Sequence, residues 1–193
     1  MFEEIIQNHL LQSAEIKRAV AEKCLADILK AAQLLTETLE SDSKIMLCGN
    51  GGSAADCQHI AAEFVSILSQ TFIRPGLSAI ALTTDTSFIT ANANDFGFDG
   101  IFERQVQALG RKGDSLIGIS TSGNSQNVWQ AINLANENGI KTIALTGETG
   151  GKIAEVANVT IKVPSNNTQF IQESHSSIGH ILCELVEKSL FSQ

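Results

Sequence analysis

The sequence contains no run of eighteen or more apolar residues, so no part of it is expected to cross a bilayer as a helix. Its start, Met1 to Glu4, lacks the basic and apolar regions of a secretory leader, and a cytoplasmic location is the expectation. None of the 13 basic residues forms a run and the net charge is −8, which argues against a generic nucleic-acid-binding surface, because neutralising phosphates takes clustered Lys and Arg. The four cysteines, Cys24, Cys48, Cys57 and Cys183, make no CxxC pair and sit in apolar or helical patterns, as buried reduced thiols do. Repeats, low-complexity stretches and linkers are absent, and the two prolines, Pro75 and Pro164, fall at strand boundaries. One domain is expected from end to end.

What is present is enough apolar material for a core, 43% of 193 residues. Residues 3–39 place apolar side chains at helical spacing with no Gly or Pro between them, which predicts two successive helices in an N-terminal segment 1–40. From Lys44 the pattern changes. Short β-rich runs, KIMLC, LSAIAL, DSLIGIS, KTIALT and VTIKV, alternate with helical segments that include 54–68, 126–138 and 151–157. Continuous apolar strands separated by helices predict a parallel sheet covered on both faces. The expected fold class is α/β: one doubly wound, five-stranded parallel sheet of flavodoxin-like kind over residues 44–163, with the N-terminal helical pair and a long C-terminal helix over 168–190 packed on it.

Ligands of such sheets bind beyond the carboxyl ends of the strands, where strand order reverses. That rule selects four loops: GNGGSAA, TTDTS, STSGNS and TGETGG. In the first, glycines let the backbone approach a ligand, and the helix that follows presents free N–H groups. Ala54 stands where the dinucleotide fingerprint needs its last glycine, and the Gly-Lys-Ser/Thr ending of a nucleotide P-loop is missing. The third loop sets the hydroxyls of Ser120, Thr121, Ser122 and Ser125 around Gly123 just before a helix, a cradle for a phosphate. It contains no Lys or Arg, which suits a phosphorylated sugar better than a nucleoside triphosphate.

His59 and Glu63 are four residues apart on the helix opened by the glycine loop, so they share a face and could bind a metal together or simply pair at the surface. On the C-terminal helix Gln172 and His180 lie eight apart, with Ser176 and Gly179 between them as small residues that permit close approach of another element. His175 points elsewhere and is read as an orienting or packing residue, and His9 as exposed. Asn94 and Asp95 in ANANDFGF lie near the same end of the sheet, either facing a ligand or capping a turn before a helix that begins near Phe98.

With CGNGGSAADCQHIAAE, ANDFGF, GISTSGNS, ALTGETGG and IQESHSSIGHIL assembled, the chain resembles the sugar isomerase (SIS) domain proteins, and over essentially its whole length the phosphoheptose, or sedoheptulose 7-phosphate, isomerases. The resemblance implies conversion of sedoheptulose 7-phosphate to D-glycero-D-manno-heptose 7-phosphate on the route to lipopolysaccharide heptose, in a homotetramer with active sites at subunit contacts. It implies substrate contacts from Asn50, Gly51, Gly52, Ser53, Glu63, Asn94, Asp95 and Gln172, with the phosphate on Ser120, Thr121, Ser122 and Ser125. His59, Glu63, Gln172 and His180 match ligands of Zn²⁺, and Glu63 and His180 match the acid/base pair. Many members follow the His–Glu helix with a Gly-Arg pair where this chain has Ser66 and Ile67, and PSNNTQF carries no basic residue before IQE.

Aldose–ketose exchange moves a proton between adjacent carbons through an enediol, which needs a base, an acid at oxygen and charge stabilisation. Glu63 is the expected base and His180 the acid. Two other readings compete: a non-catalytic SIS protein that binds the replication initiator DnaA, and a sensor or isomerase of another sugar phosphate. The first has similar loops but lacks counterparts of Glu63 and His180, which this chain keeps.

Overall fold

The computed structural model describes residues 1–191. Two helices open the chain, α1 (Phe2–Lys23) and α2 (Leu25–Glu40). They meet at Cys24, whose buried thiol donates to the carbonyl of Lys162 at 3.2 Å and ties the junction to the end of the sheet. The sheet follows as β1 (Ile45–Gly49), β2 (Ala79–Ala81), β3 (Ser115–Ser120), β4 (Lys141–Thr146) and β5 (Val159–Lys162), all parallel, in the order β2-β1-β3-β4-β5. The doubly wound sheet is thus present, and its order reverses between β1 and β3.

Alternation along the central strands divides the core in two. Ile45 and Leu47 of β1 and Ile117 and Ile119 of β3 face α2, α3 (Gly52–Val65) and α7 (Thr168–Phe191), where Leu35, Phe64, Ile178 and Leu182 are buried. Met46, Cys48 and Leu116 face the other layer, α5 (Ile101–Leu109) and α6 (Gln126–Glu137), with Phe102, Val106, Val128 and Ile132. Burial on both faces is why these strands read as unbroken apolar runs. At Gly118 a methyl group would lie 2.7 Å from Ile132 and 2.8 Å from Val128, so the glycine lets α6 pack flush on β3.

Three local expectations are corrected. Residues 86–96 form a helix, α4 (Thr86–Phe96), capped by the Asp85 carboxylate, which accepts from the Phe88 N–H at 2.9 Å, so Asn94 and Asp95 sit in its last turn rather than in a capped turn. The helix foreseen near Phe98 begins as one 3₁₀ turn, Phe98–Gly100, before α5. The helix foreseen over 151–157 is a 3₁₀ turn, Lys152–Glu155, because Gly150 and Gly151 take positive φ and re-aim the chain.

Candidate active site

The four selected loops converge at the carboxyl edge of the sheet around the β1/β3 reversal. After β1 the chain turns at Gly51 with φ +56° and ψ −121°, a conformation side chains disfavour, and α3 starts at Gly52. Asn50 and Asn127 exchange two amide hydrogen bonds of 2.9 Å, lacing the glycine loop to the first turn of α6. Asn127 is buried and its oxygen also accepts from the Val128 N–H, which fixes its orientation. The Gln172 amide of α7 lies over Gly52, where any β-carbon would meet its nitrogen at 2.7 Å. Ser53 is buried beneath the same loop, against Gly49.

The hydroxyl-rich loop is braced from two sides. Ser120 and Ser125 join through their hydroxyls at 2.9 Å, and the Ser122 hydroxyl accepts from the Asn124 N–H at 3.1 Å. Gly123 takes φ +67°, accepts at its carbonyl from the Ile153 N–H at 3.0 Å, and lies so close to TGETGG that a methyl group would sit 2.0 Å from the Gly150 oxygen. Thr121 accepts from the Gly147 N–H at 2.9 Å. Between these loops lies an open cavity of about 260 Å³, lined by residues that include Thr121, Ser122, Asn124, Glu148, Ser165 and Asn166.

His59 and Glu63 from α3 and His180 from α7 bring their ligand atoms within 4.8 Å of one another. His59 Nε2 lies 3.5 Å from Glu63 Oε1 and 2.7 Å from His180 Nε2. The two imidazoles are exposed and Glu63 is half-buried. The helices can come this close because of the small residues foreseen on α7: a methyl on Gly179 would be 2.6 Å from Ile60, and Ser176 donates to the Asp56 carboxylate of α3 at 2.5 Å. Two imidazoles and a carboxylate with open space beyond form a donor set of the kind that holds a catalytic zinc with one position left for water or substrate. Ligands around zinc at ~2.0–2.1 Å stand about 3.3 Å apart in a tetrahedron, so the histidines need only a small separation to fit.

Not every candidate joins this cluster. Gln172 stays at the glycine loop, two turns up α7. Asn94 and Asp95 are exposed and bond each other at 2.8 Å. His175 is fully buried, donates from Nε2 to the Thr146 carbonyl at 3.1 Å, and is pushed down to about 4 by desolvation, which keeps it neutral and structural. His9 is half-buried rather than exposed, with Nε2 2.8 Å from a Glu173 oxygen and its ring 4.8 Å from that of Phe170. All four cysteines are buried and free, and burial raises Cys57, the one nearest the glycine loop, well above the usual thiol range.

Three positioning residues escaped the sequence reading. Asn127 stands two places beyond Ser125, and its pairing with Asn50 depends on β1 and β3 being neighbours. Asp56 is three residues before His59, on the turn that meets Ser176. Arg74 lies in the loop after α3 and is buried, donating to the carbonyls of Glu63, Phe64 and Ser66. The absent Gly-Arg pair at Ser66 and Ile67 therefore leaves no uncapped helix end, since Arg74 returns to close it.

A glycine loop and a hydroxyl cradle at the carboxyl edge of this sheet, with a His–Glu–His cluster on the α3–α7 pair that packs against it, are the features of a sugar-phosphate-binding α/β domain, and the family model for the SIS domain matches residues 9–147. The phosphoheptose isomerase of Akkermansia muciniphila is 48% identical over 97% of this chain and 98% of its own length, and that of Aquifex aeolicus 51% identical over 96% of each. The structure of phosphoheptose isomerase GmhA from Neisseria gonorrhoeae superposes with a TM-score of 0.91 at 44% identity, covering 97% of this chain and all of that one. The chain belongs to the phosphoheptose isomerase family of SIS-domain proteins.

Proposed function

We propose that this protein interconverts sedoheptulose 7-phosphate and D-glycero-D-manno-heptose 7-phosphate in the cytoplasm, supplying heptose for lipopolysaccharide. Near-full-length identity of about half to proteins named phosphoheptose isomerase supports the substrate. The observation that carries the chemistry is the meeting of Glu63 and His180 across the α3–α7 contact, since a non-catalytic partner-binding SIS protein has no use for that pair.

The phosphate rests on the hydroxyls of Ser120, Thr121, Ser122 and Ser125 and on N–H groups at the start of α6, whose dipole favours an anion. Asn50, held by Asn127, meets the open-chain sugar together with Gly51, Gly52, Ser53, Gln172, Asn94 and Asp95. Glu63 takes the proton from the carbon beside the carbonyl, and His180 exchanges a proton with the sugar oxygen, so that the enediol collapses to the neighbouring carbonyl. His59, Glu63 and His180 would hold Zn²⁺, which when bound polarises a sugar oxygen, while Gln172, the fourth ligand that the family resemblance implies, lies against Gly52.

Assembly into a homotetramer with active sites at subunit contacts fits an otherwise unexplained surface. Along α1 the side chains of Phe2, Ile5, Ile6, Leu10 and Leu11 are exposed, and an apolar groove of about 330 Å³ runs between α1, α2 and α7. Faces of this kind mark protein contacts. No helix among the described residues is long and apolar enough to cross a membrane. The test is a panel of ketose and aldose phosphates followed by NMR with purified protein, with and without added zinc. Turnover of sedoheptulose 7-phosphate well above the rest is expected, whereas binding without turnover of any member would return the choice to the non-catalytic reading.

A further inference from the structure

Asn50 stands just beyond the end of β1 and Asn127 in the first turn of α6, two residues after Ser125. The pairing of β1 with β3 brings them face to face, each amide donating to the other at 2.9 Å.

A side-chain amide can sit either way round, since turning it over exchanges its oxygen for an NH₂ of nearly the same shape. Asn127 has lost that freedom. Its side chain is 2% exposed, and the main-chain N–H of Val128, which can only donate, meets Oδ1 at 2.9 Å. The reversed amide would set two donors against each other and leave the N–H of the fully buried Val128 unpaired, at a cost.

What holds Asn127 also settles Asn50. In one orientation of the Asn50 amide, nitrogen meets oxygen at both contacts; the reverse puts like against like at both. A primary amide has two N–H donors and two oxygen lone pairs. The pairing uses one of each on Asn50, so one N–H and one lone pair remain, at opposite ends of its amide plane. Asn50 is only half-buried and makes no other side-chain hydrogen bond among the described residues, so these two groups are what it offers at the glycine loop. A donor end and an acceptor end, each in a fixed place, distinguish a carbonyl oxygen, which only accepts, from a hydroxyl, which also donates.

We propose that Asn127 is a positioning residue of the isomerase that acts on the sugar solely through Asn50, by assigning which end of that amide donates and which accepts. This role rests on the isomerase reading above and adds to it the Val128 N–H as the group that sets the polarity. The phosphate seat shares the first turn of α6 but draws nothing from Asn50.

The test is a double-mutant cycle of Asn50→Ala, Asn127→Leu and both together in the full-length protein. It is followed through kcat/KM for sedoheptulose 7-phosphate, inhibition by inorganic phosphate, and Tm. Leucine is close to asparagine in shape and can neither donate nor accept. Asn127→Leu should lower kcat/KM at least about tenfold, within the range of coupling between residues of one hydrogen-bond network, and should add less than about twofold to Asn50→Ala. The inhibition constant of inorganic phosphate should stay within about twofold of the wild type. Tm should fall in both backgrounds, because Val128 loses its acceptor in each, so a purely structural role is read there and not in the cycle. A second measurement needs no substrate. In ¹⁵N-labelled protein one side-chain amide proton of Asn50 should exchange with water at least about tenfold more slowly than those of the exposed Asn138, and Asn127→Leu should abolish the difference. An equal fall in kcat/KM in both backgrounds, phosphate inhibition lost in step with turnover, or an unprotected Asn50 amide in the wild type would each overturn the proposal. Wild-type protein that binds the sugar without turning it over would remove the isomerase reading alone, and the same cycle would then be read in dissociation constants.

Discussion

The guanidinium of Arg74 donates from Nη2 to the main-chain carbonyl of Glu63 at 2.8 Å. The same side chain reaches the carbonyls of Phe64 and Ser66 and, through Nε, a carboxylate oxygen of Glu187 on α7 at 2.8 Å. A cation at a helix C-terminus satisfies orphan carbonyls and opposes the negative end of the dipole. Here it also fixes the last turn of α3, from which Glu63 projects, against the helix that carries His180.

Removing that link has a calculable cost. The Arg74 and Glu187 side chains are nearly inaccessible, and truncating one partner of such a pair leaves a buried charge unmatched, at about 3–5 kcal/mol. Arg74→Ala should lower denaturant-unfolding stability by that order. Arg74→Lys should recover only part of it, because an ammonium cannot reach several carbonyls at once. A loss within 1 kcal/mol for Arg74→Ala would show that the pair is not what closes α3.

Residues 119–125 carry no cation, so the hydroxyl loop itself should contribute hydrogen bonds rather than charge to phosphate binding. Ser122→Ala should raise KM for the sugar phosphate while leaving the fold intact, each lost bond to the dianion costing about 1.5–3 kcal/mol. Gly123→Ala is a different case. Its positive φ and the 2.0 Å approach to the Gly150 oxygen force the two loops apart, and a loss of roughly 1–3 kcal/mol of stability together with the phosphate site is expected. Wild-type KM in both variants would remove the loop from the site.

The sheet and its site edge were legible because each strand is buried on both faces and so stays apolar throughout, while the loops at its carboxyl edge concentrate Gly, Ser and Thr. Legibility failed where structure comes from distant partners. Helix α4 was missed because TSFITANANDF has no apolar stripe and buries only Asn92; the Asp85 cap is what starts it. The clustering of His59 with Glu63 and His180 could be argued from spacing and from the small residues on α7. Asn127 and Arg74 could not, since their partners are 77 and 11 residues away and only the folded chain brings them together.

His175 predicts a pH dependence of stability that is separate from catalysis. Its folded value of about 4 lies below the ordinary histidine value because burial disfavours the cation, so between pH 6.5 and 4 the unfolded chain binds a proton that the native chain refuses. Its contribution is present above pH 6.5 and is lost as pH falls toward 4, by up to ~3 kcal/mol. His175→Gln can still donate to the Thr146 carbonyl and should flatten the fall in Tm across that interval. An unchanged slope in the variant would mean that other groups cause it.

If zinc joins His59, Glu63 and His180, it bridges α3 and α7, and its removal should be felt in folding as well as turnover. A metal at a hundred times its Kd adds about 2.7 kcal/mol to stability. Chelation should lower Tm in the wild type and leave His59→Ala indifferent to chelator. Identical melting of metal-free and zinc-loaded wild-type protein would argue against a resident metal at this cluster.

Glu63→Gln should separate catalysis from folding when stability is compared in metal-free protein, because Glu63 is also one of the proposed zinc ligands. The side chain is half-buried on α3 and its shape barely changes, so the helix packing, the Arg74 contact to its main-chain carbonyl and the assembly should persist. Glutamine cannot take a proton at neutral pH, and loss of a positioned general base typically slows a reaction ~10²–10⁴-fold. That is roughly 3–5 kcal/mol of transition-state stabilisation. The variant should bind sedoheptulose 7-phosphate with near-normal affinity yet barely isomerise it, and exchange of the transferred proton with deuterated water should fall in parallel. His180→Asn should behave alike and add little in the double variant, because groups acting on one proton transfer are not additive. Retained turnover in Glu63→Gln would move the base elsewhere, and Asp95, exposed and bonded to Asn94, would be the next carboxylate to replace.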